Sequence, residues 1–463
     1  MTATALHGLP DPRLAQMRSN AALSTWPPVA DDKHAVLAAM AFQFDRSQWE
    51  KADAIIARQY RQLVALAEFH ATHCPPFAAR LAAAGLTPAD LASPAGLARL
   101  PELTRIMVQS GDHRVAEDKL PKMHRPLGQV NTSGSTGEPV RVTRTALNRL
   151  HWLGLSIRFH LWAEADLGGR LAVIRANLTQ HGTRNDWSAP MHLLWPTGPM
   201  LLIDIEDDVD AQLDKLVDFA PTSILVYPSN LAALSERMLS RGIALPSVQR
   251  WRTLGETLTP DTRERVAMAS AAPVIDCYSS EELGYLALQC PDVPGHYHIC
   301  SETLIVELVD DDGAPVPRGD VGRVLVTDLH NLSAPMIRYA IGDHAVAGPP
   351  CRCGRGLPTL TRIMGRTRNM IVKPDGSRHW PLTGYKQFRD IAPIRQYQFR
   401  QHAIDAIEVR LVTERPLTTE EETALIAHLH WKLRHPFRIE LVYFDVRLPL
   451  GKNGKFEEFL SLL

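Results

Sequence analysis

The spacing of apolar residues predicts helices in the first part of the chain. Between about residues 49 and 86, apolar positions recur every three or four residues, as they do on one face of a helix. Thr87-Pro88 and Ser93-Pro94 are typical helix starts, because each places a capping side chain before a proline. Residues 1 to about 45 are rich in Ala and Pro and show weak periodicity. We expect them to form a partly ordered N-terminal extension.

Short β-rich runs alternate with helical stretches between about residues 170 and 342. The strand-like runs cover residues 171–176, 200–205, 223–227, 272–278 and 322–328, with helical stretches at 208–219 and 230–241. This alternation predicts an α/β domain with a mainly parallel sheet. The run from 304 to 329 differs, because Asp-Gly and Pro-Arg-Gly turns join its two strands. Such turns predict an antiparallel, β-barrel-like part.

The last hundred residues have their own pattern of strands and a helix. Residues 406–412 and 439–444 are strand-like, and residues 419–433 have the composition of a helix. They predict a small α+β domain. The expected organisation is therefore an extension at 1–45, a large α/β domain at 46–365 and a small domain at 366–463.

Composition narrows the function without identifying it. A chain of 463 residues exceeds the size of a single hydrophobic core, which agrees with several domains. The 51 acidic and 50 basic residues nearly cancel, so a nucleic-acid partner is not expected. The sequence lacks both a long apolar span and a secretory signal, so we expect a cytoplasmic protein without a membrane partner. In that compartment the six cysteines favour metal binding over disulfides.

One short loop carries the strongest chemical signal. Its six residues supply four hydroxyl groups and two glycines: Thr132, Ser133, Gly134, Ser135, Thr136 and Gly137. Glycines let consecutive backbone N–H groups converge on an anion, and hydroxyl groups add donors for phosphate oxygens. A flexible Ser/Gly turn is the alternative, but the strand-like flanks and the Glu-Pro that follows favour phosphate binding. The loop is not a Walker A sequence, since no Lys follows the second glycine.

This loop resembles the phosphate-binding motif of the adenylate-forming superfamily, which includes acyl- and aryl-CoA synthetases, luciferases and peptide-synthetase adenylation domains. Residues 276–284 resemble a later segment of that superfamily. The resemblance gives Tyr278 the role of packing on adenine and Glu282 that of the catalytic magnesium ligand. Ser279 and Glu281 stand where Gly and Thr or Ser are usual. Either carboxylate could therefore hold Mg²⁺, and an exposed acidic turn is the alternative interpretation.

Three further segments match the superfamily in the same order. The segment that ends at Asp343 resembles the one whose aspartate binds both ribose hydroxyls, and Arg338 within it could instead form a salt bridge that packs the sheet edge. Arg366 resembles a ribose or phosphate contact next to the interdomain hinge. Arg368 stands at the usual position of the hinge aspartate.

The C-terminal segment completes the resemblance. Lys455 resembles the lysine that the small domain inserts into the site, with Lys452 as the second choice. A fixed cation there would offset the repulsion between the attacking carboxylate and the α-phosphate. A solubilising basic tail is the alternative, and it suits Lys452 better.

A Cys-x-Cys-Gly-Arg sequence places the chain nearest to phenylacetate–CoA ligases and their relatives. Two thiolates together with a distant Cys and His would supply four ligands for tetrahedral zinc. Some members of that branch carry a structural zinc here. The expected zinc ligands are Cys290, His298, Cys351 and Cys353, with His296 or Cys300 as replacements. Free buried thiols are the alternative.

The resemblance implies ATP-dependent activation of a small, aromatic or short carboxylic acid to acyl-AMP, followed by transfer to CoA. The implied ligands are ATP or AMP, Mg²⁺, structural Zn²⁺ and CoA, and a homodimer stays open. One alternative passes the acyl group to an amine, a carrier protein or another nucleophile. Another is a non-catalytic nucleotide-binding protein on the same fold. Aromatic candidates for the acyl pocket, each equally suited to the core, are Trp187, His192, Trp195, Tyr227 and Trp251.

Overall fold

The computed structural model describes residues 10–19, 29–131, 140–176, 178–366, 370–379, 385–450 and 456–463. Its helices are α1 (Asp32–Ser47), α2 (Ala52–His73), α3 (Pro75–Ala83), α4 (Pro94–Ala98), α5 (Arg105–Gln109), α6 (Ala146–Trp162), α7 (Met191–Leu194), α8 (Val209–Phe219), α9 (Pro228–Arg241), α10 (Pro260–Ala269), α11 (Tyr385–Ile391) and α12 (Thr419–Leu433). Within these ranges, no helix combines the length and the apolar character needed to cross a membrane.

The same described residues also form twenty strands. They are β1 (Gly128–Asn131), β2 (Arg141–Arg144), β3 (Leu171–Arg175), β4 (Gly182–Arg184), β5 (Met200–Asp204), β6 (Ser223–Val226), β7 (Arg250–Thr253), β8 (Val274–Ser280), β9 (Gly284–Gln289), β10 (Tyr297–Ile299), β11 (Leu304–Val309), β12 (Val321–Asp328), β13 (Tyr339–Ala347), β14 (Thr359–Arg366), β15 (Ile371–Val372), β16 (Arg378–His379), β17 (Ile394–Ala403), β18 (Ala406–Thr413), β19 (Arg438–Phe444) and β20 (Phe459–Ser461). The predicted strand-like runs and helices fall within these elements, to within a few residues at their ends, except that Thr87-Pro88 begins a short 3-10 helix, Pro88–Leu91.

Twelve strands form one mixed sheet in the order β11-β12-β13-β14-β10-β9-β8-β7-β6-β3-β5-β4. The strands from β8 to β5 in this order are mutually parallel, and helices cover both faces of that half. Along β3, Ala172 and Ile174 enter the core under α8 and α9, whereas Leu171 and Val173 enter the core under α1 and α6. Burial on both faces explains why β3 is apolar at consecutive positions.

The strands from β9 to β11 form the antiparallel half of the sheet. The predicted two-stranded run becomes β11 and β12, which pair from Leu304↔Asp328 to Val309↔Arg323. Strand β8 belongs to both halves, because Thr253↔Asp276 is a parallel pair with β7 and Tyr278↔Ala287 is an antiparallel pair with β9. The predicted parallel pairing is thus found in one half of the sheet, and the other half is antiparallel.

Helix α1 departs from the expectation of a partly ordered extension that reaches residue 45. Leu37 and Ala41 are buried against α6 in the core. The helices approach so closely that a Cβ atom at Gly154 would lie 2.8 Å from the ring of Phe44. The weak periodicity of this segment reflects its alanine content, because small residues permit close helix packing with little apolar surface.

The small domain, described over residues 370–379, 385–450 and 456–463, has a separate core. Its four-stranded sheet has the order β19-β18-β17-β20. Phe388, Phe399, Leu425 and Leu429 form the core between this sheet and its helices. Helix α12 begins at a capping box in which the side chains and backbone groups of Thr418 and Glu421 bond each other reciprocally.

Arg338 joins the N-terminal helices to the antiparallel half. Its side chain is 3% exposed, and its Nε lies 3.1 Å from Glu307 Oε1. Its Nη1 donates to the carbonyl oxygens of Ala98, at 2.7 Å, and Leu100, at 2.6 Å. The alternative interpretation of Arg338 as a packing salt bridge agrees with these contacts.

We predict that Arg338→Met lowers the free energy of unfolding by about 3 to 5 kcal/mol. It leaves the Glu307 carboxylate, which is 16% exposed, without its cation and two backbone carbonyl groups without their donor. Urea titration of the purified protein measures this change. The control is Arg250→Met, whose partner Glu164 is mostly exposed, and it should cost less than about 1 kcal/mol. Equal losses in the two variants would contradict a structural role for Arg338.

Candidate functional site

Three of the predicted nucleotide contacts meet at one place, two of them on the neighbouring strands β13 and β14 and the third on β8. Asp343 of β13 is the cross-strand partner of Arg366 of β14. The Nε atom of Arg366 lies 3.2 Å from Asp343 Oδ1, and the hydroxyl of Tyr278 donates to Asp343 Oδ2 at 2.7 Å. We call Tyr278, Asp343 and Arg366 the ribose cluster, after the role that the resemblance implies for Asp343.

The charge of Asp343 favours the protonated forms of the other two residues in the ribose cluster. Burial, followed by the negative charge of Asp343, raises the pKa of Tyr278 well above its usual value, so its hydroxyl keeps the proton that it donates. Asp343 in turn raises the pKa of Arg366. The Asp343 side chain is 9% exposed and that of Arg366 is 36% exposed, so solvent reaches the cluster from the side of Arg366.

The turn between β8 and β9 carries both candidate magnesium ligands but buries only one of them. Glu282 is 3% exposed, and its Oε1 lies 3.5 Å from Nη1 of Arg105. Burial and the charge of Glu282 raise the pKa of Tyr339 to about 12, so this carboxylate faces the same strand that carries Asp343. Glu281 is exposed, and its carbonyl oxygen accepts a hydrogen bond from Arg144. Half-buried Ser279 lies in β8 beside Tyr278.

A cleft opens next to Glu282. It lies between α6 and the antiparallel half, and its polar lining includes Arg144, Asn148, Asp328 and two histidines, His151 and His330. The two imidazole rings stack with centroids 4.1 Å apart. Burial lowers the pKa of His151 to about 3, which makes that ring a neutral part of the wall at physiological pH.

The phosphate loop, residues 132–137, lies outside the described residues, but its flanking strands are described. β1 and β2 form an antiparallel hairpin in which Gln129 pairs with Thr143. Val140 and Val142 belong to the same hydrophobic cluster as Tyr278 and Tyr339. The hairpin therefore packs beside the ribose cluster, as the predicted flanking strands require.

Arg368, Lys452 and Lys455 also lie outside the described residues. The residue after Lys455 is described, and its backbone contacts the large domain. The N–H group of Phe456 donates to Glu256 Oε1 at 2.9 Å. The predicted role of Lys455 stays a prediction.

A second cluster contains the four predicted zinc ligands. One side-chain atom from each of Cys290, His298, Cys351 and Cys353 lies within 4.8 Å of the others. The sulfur atoms of Cys290 and Cys351 are 3.8 Å apart, and Cys353 Sγ is 3.3 Å from His298 Nε2. A tetrahedral zinc with bonds of about 2.3 Å would separate two sulfur ligands by about 3.8 Å.

The chemistry of this cluster suits a metal cation. Hydrogen bonds with Cys290 and His298 lower the pKa of the Cys353 thiol, and the thiolate is the form that binds metals. Nδ1 of His298 lies 3.2 Å from the carbonyl oxygen of Leu357, so a proton on Nδ1 leaves the Nε2 lone pair directed at Cys353. His296 lies outside the cluster, and Cys300 packs with Cys277 in a separate apolar core.

Comparisons with known proteins agree with these motifs. No protein-family model matches the chain. A phenylacetate-coenzyme A ligase of Thermus thermophilus is 30% identical over 169 residues, which span 35% of this chain but only 38% of that enzyme. A phenylacetate-coenzyme A ligase of Pseudomonas putida is 22% identical over 381 residues, or 79% of this chain and 84% of that enzyme.

Solved structures match the fold over most of the chain. A 2-hydroxyisobutyryl-CoA ligase in the postadenylation state with 2-HIB-AMP has a TM-score of 0.72 at 17% identity and covers 90% of this chain and 91% of its own. The same ligase in its thioesterification state with 2-HIB-AMP and CoA has a TM-score of 0.59 at 18% identity, with the same coverage. The chain is thus similar to adenylate-forming ligases in sequence and shares the fold of one of them.

The likeness to adenylate-forming ligases leaves the acyl pocket undefined. Trp187, Trp195 and Trp251 are buried core residues whose indole N–H groups bond Gly169 O, Arg13 O and Ser270 Oγ. Such satisfied core positions favour a packing role. Tyr227 and His192 stay candidates.

Several residues beside the adenylate-forming site were not predicted from sequence. Arg105 lies against Glu282, and Arg144 binds the turn that carries Glu282. Glu256 contacts the C-terminal segment at Phe456. Glu256 follows β7, and its position was the available signal, because ligands bind near the carboxyl ends of parallel strands. Arg105 and Arg144 had no comparable signal, since their contacts depend on the packing of distant segments.

Proposed function

We propose that the chain is an AMP-forming acid–CoA ligase. The observation that carries this proposal is the convergence of the ribose cluster with Glu282 at the place where the two halves of the sheet meet. These groups match, in type and in order, the nucleotide contacts that the superfamily motifs imply. The names of the Thermus and Pseudomonas relatives support CoA as the acceptor and a small, aromatic acid as the substrate.

The proposed first step joins the acid to AMP. An oxygen of the substrate carboxylate attacks the α-phosphorus of ATP, the bond to the bridging oxygen breaks, and pyrophosphate leaves with that electron pair. Asp343 would accept hydrogen bonds from the ribose hydroxyls, and Arg366 would offset the charge on the phosphate. Glu282 would hold Mg²⁺, which supplies positive charge to the phosphates when bound. Burial of Glu282 and exposure of Glu281 favour Glu282 for this role.

The proposed second step transfers the acyl group to sulfur. The thiol of CoA loses its proton and its sulfur attacks the acyl carbonyl carbon, and AMP departs with the oxygen that linked it. An amine or a carrier protein is the alternative acceptor, because Glu281 and Arg368 differ from the residues usual at these positions in the superfamily motifs.

ATP–pyrophosphate exchange over a panel of small carboxylic acids tests the first step. We expect exchange only when a suitable acid is present, because only then does a reversible adenylate form. Addition of CoA should then raise the rate of AMP release. Acid-dependent exchange without a CoA effect would favour another acceptor. No exchange with any acid would favour a non-catalytic nucleotide-binding protein.

Lys455→Ala should slow formation of acyl-AMP by about 10²- to 10³-fold, because a fixed cation at the reacting oxygens is lost. The thioester half-reaction from supplied acyl-AMP should change little. Rapid-quench measurement of each half-reaction separates the two effects. Lys452→Ala is the matched control and should leave both rates near the wild-type values. Equal loss of both half-reactions in Lys455→Ala would contradict its assignment.

We also propose that Cys290, His298, Cys351 and Cys353 hold a structural zinc ion. Four protein ligands would close the coordination shell, which leaves no position for substrate. The adjoining loop is tied to the N-terminal helices, because Gly356 N–H donates to Gln48 O at 2.9 Å and the guanidinium of Arg355 lies 4.6 Å from the ring of Trp49. Zinc there would fix this loop to the helical layer.

Elemental analysis of the purified protein should find about one zinc per chain. Cys353→Ser should lose most of this zinc, whereas Cys300→Ser should retain it, because Cys300 is buried outside the cluster. Removal of zinc from the wild-type protein by a chelator should lower the midpoint of thermal unfolding. A well-folded, zinc-free wild-type protein would contradict the proposal.

A further inference from the structure

We infer that Glu256 is a positioning residue, which holds the segment carrying Lys455 against the large domain while the adenylate forms. This inference rests on the proposed function, since it assigns Glu256 a part in the first half-reaction. It concerns the contact among Glu256, Ser229 and Phe456, all of which lie in the described part of the chain.

The large domain fixes the Glu256 carboxylate at the beginning of α9. Ser229 N–H donates to Glu256 Oε2 at 2.9 Å, and the Ser229 hydroxyl donates to Oε1 at 3.1 Å. The residue that precedes α9, Tyr227, forms no side-chain cap. Glu256 therefore replaces that cap, and its negative charge is favoured beside the positive end of the helix dipole.

The same carboxylate binds the small domain. Phe456 N–H donates to Oε1 at 2.9 Å, so one oxygen atom bonds both domains. Phe456 is 9% exposed and packs with Val412 and Leu448. Since Phe456 directly follows Lys455, this bond restrains the backbone next to the proposed catalytic lysine.

The other flank of this segment is also in contact with the large domain. Leu450 packs against the core under α8 and α9, and Nη1 of Arg447 lies 3.3 Å from Asn230 Oδ1. Asn230 follows Ser229 in α9. The start of this helix thus contacts the chain on both sides of residues 451–455.

Glu256 also lies close to the ribose cluster. A Cβ atom at Gly365 would lie 2.7 Å from Thr257 Oγ1, so only glycine allows this approach without a shift. Gly365 precedes Arg366 in β14. The loop that carries Glu256 therefore joins the nucleotide contacts to the C-terminal segment, which is the geometry that a positioning residue requires.

Measurement of the two half-reactions in Glu256→Ala and Glu256→Gln tests this role. We expect Glu256→Ala to lower the rate constant of adenylate formation by about 10²-fold, because small displacements of a catalytic group are costly. The KM for ATP and the rate of thioester formation from supplied acyl-AMP should stay within about twofold of wild type. Glu256→Gln keeps an acceptor oxygen and should recover most of the rate. Glu264→Ala, an exposed carboxylate on α10, is the control.

A double-mutant cycle then asks whether Glu256 acts through Lys455. In the Lys455→Ala background, Glu256→Ala should add less than about threefold, because the group that it positions is already absent. If the rate loss in the double variant equals the product of the losses in the two single variants, the inference is overturned. A matching loss of thioester formation in Glu256→Ala would also overturn it, since it would indicate general damage to the fold.

Hydrogen exchange tests the contact independently of activity. Peptides that contain Phe456 and begin at least two residues before it should exchange about tenfold faster at its amide in Glu256→Ala than in wild type or Glu264→Ala. Unchanged exchange would overturn the inference even if the ligase is active. Faster exchange in a protein that activates no acid would support the contact and refute the proposed function, so the two failures are distinguishable.

Discussion

One buried carboxyl group joins the two halves of the large sheet. Asp276 Oδ1 accepts a hydrogen bond from Thr253 of β7 at 2.6 Å, and its Oδ2 accepts one from Tyr297 of β10 at 2.8 Å. Burial raises the pKa of Asp276 to about 6, so its two hydroxyl partners stabilise a group that the core would otherwise disfavour. Because Asp276 lies in β8, these bonds fix the strand at the point where its pairing changes from parallel to antiparallel.

The placement of the site follows from that junction. Tyr278 lies two residues beyond Asp276, where β8 has left its parallel neighbour and pairs with β9. Asp343 and Arg366 come from the antiparallel half, and Glu256 follows a strand of the parallel half. A ligand at this place can therefore contact groups from both halves of the sheet.

The sequence predicted elements and motifs better than it predicted their arrangement. The apolar runs at β3, β5 and β6 identify strands because both faces of each are buried, but they do not specify the order of strands across the sheet. The choice between His296 and His298 depends on the pairing of β10 with β9 and β14, which only the folded chain fixes. Arg338 adopts a left-handed backbone conformation, with φ of 53°, that its residue type does not predict.

A crystal structure with AMP bound tests the central claim, that the ribose cluster binds the nucleotide, most directly. The account predicts both ribose hydroxyls within hydrogen-bonding distance of the Asp343 carboxylate, with the phosphate toward Arg366. AMP bound elsewhere, with Asp343 still bonded only to Tyr278 and Arg366, would contradict it.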